Sequence, residues 1–168
     1  IMIKIIDGFF KKKDFELVKN FALTKAYYTP KHFDNKEINK ENFYGNRWKL
    51  HNEPDLFKLF TDQTELKFKI KIKKIDAHTS SIDQRNLDTF KPHTDPAKIN
   101  ILIMISGPTA VTNGTVFYTD GELDIHVGFR ENRAVMFPSQ HVHSPHVSKV
   151  PNLKRYTATL FIQDYEDV

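Results

Sequence analysis

His93 and Asp95 are separated by one residue, and on an extended chain residues i and i+2 point to the same face. One imidazole and one carboxylate can therefore reach a single ion. The run His141-Val142-His143-Ser144-Pro145-His146 supplies candidates for a third ligand. His141 and His143 share a face if that run is extended, and His146 lies close by. Two imidazoles and a carboxylate on one face of an octahedral ion leave the opposite face open to further ligands. The chain has no cysteine, which excludes disulfides and thiolate ligation. Any metal would be held by histidine, carboxylate and water.

The His-x-Asp spacing is weak by itself, because His32-Phe33-Asp34 repeats it and His51-Asn52-Glu53 comes close. Both of those lie in polar, charge-rich sequence without a strand pattern, and both read as surface. His93-Thr94-Asp95 is instead followed by the apolar run Ile99 to Ile105, the pattern of a strand buried on both faces. Further on come Phe137-Pro138-Ser139, then three residues, then His143; Arg155-Tyr156-Thr157 begins twelve residues after that histidine.

In this order the pieces resemble the 2-oxoglutarate- and Fe(II)-dependent dioxygenases, of the prolyl-hydroxylase-like branch or its small phage and bacterial forms. The likeness covers roughly residues 65–163, and Ile5-Ile6-Asp7-Gly8-Phe9-Phe10 also resembles the first strand of such proteins. The resemblance selects His143 as the third metal ligand beside His93 and Asp95. It implies that Arg155 pairs with the distal carboxylate of 2-oxoglutarate, that the Thr157 hydroxyl assists, and that Asn100 is a polar residue facing the co-substrate. It implies Fe(II), 2-oxoglutarate and O2 as cofactor and co-substrates, with ascorbate as a possible accessory reductant, and hydroxylation of a small molecule or peptide as the outcome. Arginine at the anchor departs from the lysine common in prolyl hydroxylases. A nucleic-acid demethylase of the same family would carry a second arginine along the anchor strand, where this chain has Phe161.

The elements that must position these residues are legible in part. At 168 residues the chain is expected to form one domain, 1–168, with a proper core, and 14 phenylalanines support a packed globule. Ile3 to Ile6 reads as a strand. Asp14 to Leu23 reads as a helix capped by Asp14, with Phe15, Val18 and Ala22 on one stripe. Thr29 to Glu53 reads as a long polar excursion. Within it Tyr44-Gly45-Asn46-Arg47-Trp48 could contact substrate or only pin the excursion to the surface. Arg47 and Trp48, with Arg85, are the candidate substrate contacts. Asp55 to Phe60 reads as a short helix.

Lys67 to Lys73 alternates strictly, as a strand with one wet face does, and Ile75 to Ser81 is expected to continue that sheet. Arg85, Lys91 and His78 are expected on the approach to the metal strand. Thr115 to Thr119 and Glu122 to Phe129 read as a hairpin about Asp120-Gly121, with His126 as a rim or packing residue. Arg133 to Phe137 and Tyr156 to Ile162 read as strands, and the acidic tail from Gln163 to Val168 as loose. The sum is a mainly β (α+β) fold: a double-stranded β-helix, or jelly-roll, with N-terminal helices packed on one sheet.

Charge and composition narrow the functional classes. Residues 1–84 hold 17 basic and 12 acidic side chains, against 8 and 9 in residues 85–168. The basic surplus lies outside the half that carries the candidate site and reads as a solvated lysine face, so nucleic acid is not the expected partner. No apolar stretch is long enough to span a bilayer, and the start lacks a signal-peptide layout, so a cytoplasmic location is expected. There is no glycine-rich phosphate loop and no serine-nucleophile elbow. Two other classes compete: a cupin-like metal protein that ignores 2-oxoglutarate, and a basic β-sandwich whose histidines are structural.

Overall fold

The computed structural model describes residues 2–30, 46–85, 92–146 and 154–168. Its long axis is one strand, Arg155–Asp167, which pairs on one edge with Ile99–Ser106 and on the other with Ser81–Arg85 and then Ile70–Ile75. In chain order the strands are β1 Lys4–Ile6, β2 Thr29–Pro30, β3 Asn46–Lys49, β4 Ile70–Ile75, β5 Ser81–Arg85, β6 Ile99–Ser106, β7 Gly114–Thr119, β8 Glu122–Gly128, β9 Arg133–Pro138, β10 His143–His146 and β11 Arg155–Asp167. The larger sheet runs β1-β9-β6-β11-β5-β3-β2, with β4 also on β11; the smaller runs β10-β7-β8. All pairings are antiparallel.

Side chains alternate across a strand, and that rule sorts the larger sheet into two jobs. On β6, Ile99, Ile101, Ile103 and Ile105 face the helices; on β11, Tyr156, Ala158, Leu160 and Ile162 do the same. Helices α1 (Lys12–Asn20) and α2 (Pro54–Phe68) lay Val18, Leu56, Phe60 and Phe68 against them. The opposite face of β6 and β9 sends Leu102, Met104, Val135 and Phe137 toward Phe117 and Val127 of the smaller sheet. Burying each such side chain stabilises the fold by about 1.5–3 kcal/mol. This is the expected jelly-roll with N-terminal helices on one sheet. Among the described residues, no helix is long and apolar enough to cross a membrane.

Several local expectations are corrected. α1 begins at Lys12, so Asp14 is not its cap but lies in the first turn, where a carboxylate suits the helix dipole; a π-helical turn, Phe21–Lys25, follows. α2 is longer than a helix over Asp55 to Phe60: it starts with Pro54 and stops at Lys69, which is left-handed at φ 56°. Phe68 completes the buried stripe of that helix, so the alternation at Lys67 to Lys69 is helical sequence and the strand starts at Ile70. The sheet does not continue through Ile75 to Ser81. Asp76 breaks it, its carboxylate accepting the backbone N–H of His78 and Thr79 at 3.1 and 3.2 Å.

The acidic tail is not loose. β11 runs to Asp167 beside β4, with Lys73 and Glu166 paired at 2.8 Å and the Val168 N–H donating to the Lys69 carbonyl. The excursion Thr29 to Glu53 carries β2 and β3, which pair with each other; Tyr44 and Gly45 lie outside the described residues, as does His32-Phe33-Asp34, the first decoy. The second decoy is surface: His51 sits in a 3₁₀ turn, Leu50–Asn52, with its ring stacked on His78.

Candidate metal centre and anion pocket

His93 and His143 are joined by an isolated antiparallel bridge in which each backbone N–H donates to the other's carbonyl at 3.0 Å. The bridge sets the two rings side by side, 4.5 Å between centroids. Beyond it the chain leaves strand geometry, so Asp95 does not reach the site as the second residue of a strand. It is placed by its own backbone: its N–H donates to the Ser139 carbonyl at 2.9 Å, and the Gln140 amide donates to its carbonyl at 2.9 Å.

The donor atoms converge. Asp95 Oδ2 lies 3.1 Å from His143 Nε2, and Oδ1 lies 3.6 Å from His93 Nε2; one donor atom from each residue falls within 4.8 Å of the others. Ligands at adjacent corners of an octahedral or tetrahedral shell with ~2.1 Å bonds stand about 3.0–3.4 Å apart, so the set suits one divalent ion. His143 supplies a second test of fit. Its Nδ1 faces the His141 carbonyl at 2.7 Å while its Nε2 faces a carboxylate. A neutral imidazole donates from only one nitrogen. A cation between Nε2 and the carboxylate, with Nδ1–H given to the carbonyl, satisfies every atom.

His141 and His146 do not join the cluster. The His141 ring packs edge-on to Phe117, and the His146 ring lies against His126. Burial would raise the Asp95 carboxyl, but the hydrogen bond and charge of His143, the charge of His93 and the Asn100 amide override it and hold it below its usual range.

Behind the carboxylate stands a buried relay. The Ser139 hydroxyl donates to Asn100 Oδ1 at 2.7 Å, which fixes the amide so that its nitrogen donates to Asp95 Oδ2. Both residues are buried. Asn100 thus has a partner in the metal carboxylate, although it also lines the cavity that Arg155 reaches. Outer hydrogen bonds of this kind typically carry about 10- to 100-fold in metal affinity. Asn100→Ala is accordingly expected to weaken Mn(II) binding by about that factor with the fold retained, as calorimetric titration and circular dichroism would register.

The other end of the cavity is basic. Arg155, Thr157, Thr159 and Phe161 all line it, as residues two apart on β11 must when the alternate face packs on helices. The cavity is small, about 70 Å³, and opens to solvent. Arg155 is 2% exposed. Its Nη1 donates to the Gly114 carbonyl and, at 3.4 Å, to Asn113 Oδ1 and the His146 carbonyl; Nη2 donates to Thr115 Oγ1 at 3.3 Å. These partners are all neutral, and Nε is buried without one. Among the described residues no carboxylate pairs with this guanidinium. Burial and then the nearby Arg85 charge push it down to about 9, which leaves it charged at neutral pH. The Asp83 charge offsets only part of this, and a buried cation whose hydrogen-bond partners are all neutral oxygens favours an incoming anion.

Gly114 makes that cradle possible. A Cβ there would stand 2.2 Å from the Val127 carbonyl oxygen and 2.8 Å from His126 Nε2. Gly114→Ala is expected to shift β7 against β8 and destabilise the protein by about 1–3 kcal/mol, measured by denaturant unfolding. Nothing in the sequence marked Gly114; a carbonyl's partner is set by register. Asp83 was also missed. It is a buried carboxylate on β5, bonded by Arg47 Nε at 2.9 Å, and the alternation around Ile82 was its only signal.

Arg47 and Arg85 line the cavity, whereas Trp48 does not: its ring packs edge-on to Phe21 at 4.8 Å and belongs to the helix-side core. His78 is likewise off the approach, in the β4–β5 turn beside Lys49, and Lys91 lies outside the described residues. His126 packs its ring against that of His146.

No family model matches the sequence, and no curated protein matches it. Solved structures do match the fold. One is the non-heme alpha-ketoglutarate-dependent epimerase SnoN from nogalamycin biosynthesis, with TM-score 0.66 and 11% identity over 98% of this chain and 77% of that one. Another is a prolyl hydroxylase from Trichoplax adhaerens, in complex with a hypoxia inducible factor peptide fragment, with TM-score 0.65 and 12% identity over 96% and 83%. At these identities the likeness is one of fold.

Proposed function

We propose that the chain is a non-haem Fe(II) oxygenase that couples turnover of 2-oxoglutarate to oxidation, as a hydroxylase, of a small-molecule or peptide substrate. One observation carries this reading. A single cavity is lined at one end by two imidazoles and a carboxylate whose donor atoms converge, and elsewhere by a buried arginine that pairs with no carboxylate among the described residues. The fold that the chain shares with an alpha-ketoglutarate-dependent epimerase and a prolyl hydroxylase supports it.

In this reading His93, Asp95 and His143 would hold the iron. The planar fork of Arg155 would take the distal carboxylate of 2-oxoglutarate, with Thr157 two residues along on the same face. Bound iron and 2-oxoglutarate would supply the oxidising power, with O2 as oxidant and succinate, CO2 and an oxygenated substrate as products. The protein's own work is placement and exclusion of water. Asn100 and Ser139 orient the carboxylate, the His141 carbonyl fixes the tautomer of His143, and Phe137, 4.7 Å from the His143 ring, dries that side of the cavity.

The test is succinate release from 2-oxoglutarate with Fe(II), O2 and ascorbate, alone and against a panel of amino acids and proline-containing peptides. Metal-dependent succinate formation is expected. No turnover with any of them, and no anaerobic binding of 2-oxoglutarate, would refute the reading.

A further inference from the structure

We infer that Asn113 is a positioning residue for the co-substrate end of the cavity: its neutral side-chain oxygen holds Arg155 in place without neutralising it, so the guanidinium keeps its charge for an incoming carboxylate. The inference deepens the oxygenase reading and rests on it. Asn113 is fully buried, at the entry to β7. It does not itself line the cavity, whereas Arg155 and Thr115 do. It stands behind the guanidinium and acts on a bound anion through it.

The hydrogen bonds of Asn113 fix the side chain in one orientation. Its backbone N–H donates to the Ala110 carbonyl and its carbonyl accepts the Phe129 N–H, both at 2.9 Å. The side-chain nitrogen donates to the Pro108 carbonyl at 2.6 Å. That bond turns Oδ1 toward Arg155 Nη1, which donates to it at 3.4 Å. Phe129, tied to Asn113 through the backbone, sets its ring centroid 5.6 Å from the guanidinium carbon, a further neutral contact that suits a cation.

Position 113 therefore needs a donor and an acceptor on one small, neutral side chain, and asparagine supplies both. The other oxygens on Arg155 are the Gly114 and His146 carbonyls and the Thr115 hydroxyl, which stay neutral. Aspartate at 113 would be nearly isosteric but, when ionised, could only accept. Its carboxylate would face the Pro108 carbonyl without a proton to give and would pair with Arg155 instead. That internal pair would consume the charge that the co-substrate is to meet. Alanine would loosen the guanidinium and strip the Pro108 carbonyl of its donor, yet leave the charge available.

The experiment uses protein loaded with Mn(II) under anaerobic conditions and titrates it calorimetrically with 2-oxoglutarate and, in parallel, with 2-oxovalerate. The second acid keeps the chelating end and carries a methyl group in place of the distal carboxylate. The wild-type protein is expected to prefer 2-oxoglutarate. Asn113→Ala should weaken 2-oxoglutarate by about three- to tenfold. Asn113→Asp should weaken it by about 30-fold or more, as loss of the arginine charge would. Neither variant should move the affinity for 2-oxovalerate, or for Mn(II) alone, by more than about threefold. An asparagine that served packing only would give the reverse order, the isosteric aspartate being milder than alanine, and would weaken both acids alike.

Equal losses of the two acids, an aspartate variant that binds 2-oxoglutarate as well as the alanine variant does, or wild-type affinity in either variant would each overturn the inference. Retained Mn(II) binding shows that a variant is folded. If the aspartate variant does not fold, Asn113→Ala decides: a loss confined to 2-oxoglutarate supports the inference, and an equal loss or none refutes it. Wild-type protein that binds Mn(II) but no 2-oxoglutarate refutes the oxygenase reading, and the inference with it, before any variant is compared.

Discussion

Asp95→Ala is expected to abolish measurable divalent-metal binding. Asp95 is the one anionic member of the cluster, and its two oxygens lie 3.6 and 3.1 Å from the imidazole nitrogens of His93 and His143. Alanine leaves two neutral ligands, so affinity should fall by well over the roughly 10- to 100-fold carried by outer-shell contacts. Thermal unfolding reads the effect. For the wild-type protein, metal at about 100 times its dissociation constant should stabilise the fold by about 2.7 kcal/mol, which for a chain of this size raises Tm by about 5–10 °C. The variant should show no metal-induced rise. A rise equal to that of the wild type would mean that the ion binds elsewhere.

Arg155→Gln should be nearly as damaging, at the other end of the cavity. A buried guanidinium facing a carboxylate forms a charge-assisted pair whose truncation costs about 2–5 kcal/mol, or roughly 30- to several-thousand-fold in 2-oxoglutarate affinity. Glutamine keeps some hydrogen-bonding capacity toward Gly114 and Thr115 but removes the charge. Arg155→Lys should fall between, since it keeps the charge and loses the fork. Metal binding without 2-oxoglutarate should persist in both, which separates this loss from that of Asp95→Ala. A cupin-like metal protein with no use for 2-oxoglutarate would keep its activity in either variant.

The sequence carried more of the chemistry than of the framework that delivers it. Period-two placement did most of the work: Arg155 and Thr157 share a face because β11 is extended there, and the mostly apolar β6 is buried on both sides. The His-x-Asp spacing pointed to a pair that the fold does bring together, but for a different reason. Asp95 is brought in by backbone bonds to Ser139 and Gln140, not by strand alternation. Such bonds have no residue-type signature, and neither does the Gly114 carbonyl under Arg155. Trp48 misled because an aromatic in a polar stretch looks exposed until its partner, Phe21, is known. Lys67 to Lys69 misled because a helix ending on a left-handed residue and a strand beginning after it can share one alternating pattern.

Asn100 shows how one residue can serve two readings. It lines the cavity, as a residue facing the co-substrate should, yet its amide donates to Asp95 while the Ser139 hydroxyl donates to its oxygen. Its polarity within the run Ile99 to Ile105, otherwise isoleucine, leucine and methionine, marked it as special; the partner was set by the fold.

The account depends on iron and 2-oxoglutarate meeting in one cavity between the two sheets. The direct measurement is the visible absorption of the protein with Fe(II) under anaerobic conditions as 2-oxoglutarate is added. A metal-to-ligand charge-transfer band that saturates with one equivalent of 2-oxoglutarate, is absent in Asp95→Ala, and needs far more 2-oxoglutarate in Arg155→Gln is the predicted result. No band in protein shown to bind the metal, or a band indifferent to Arg155, would contradict it.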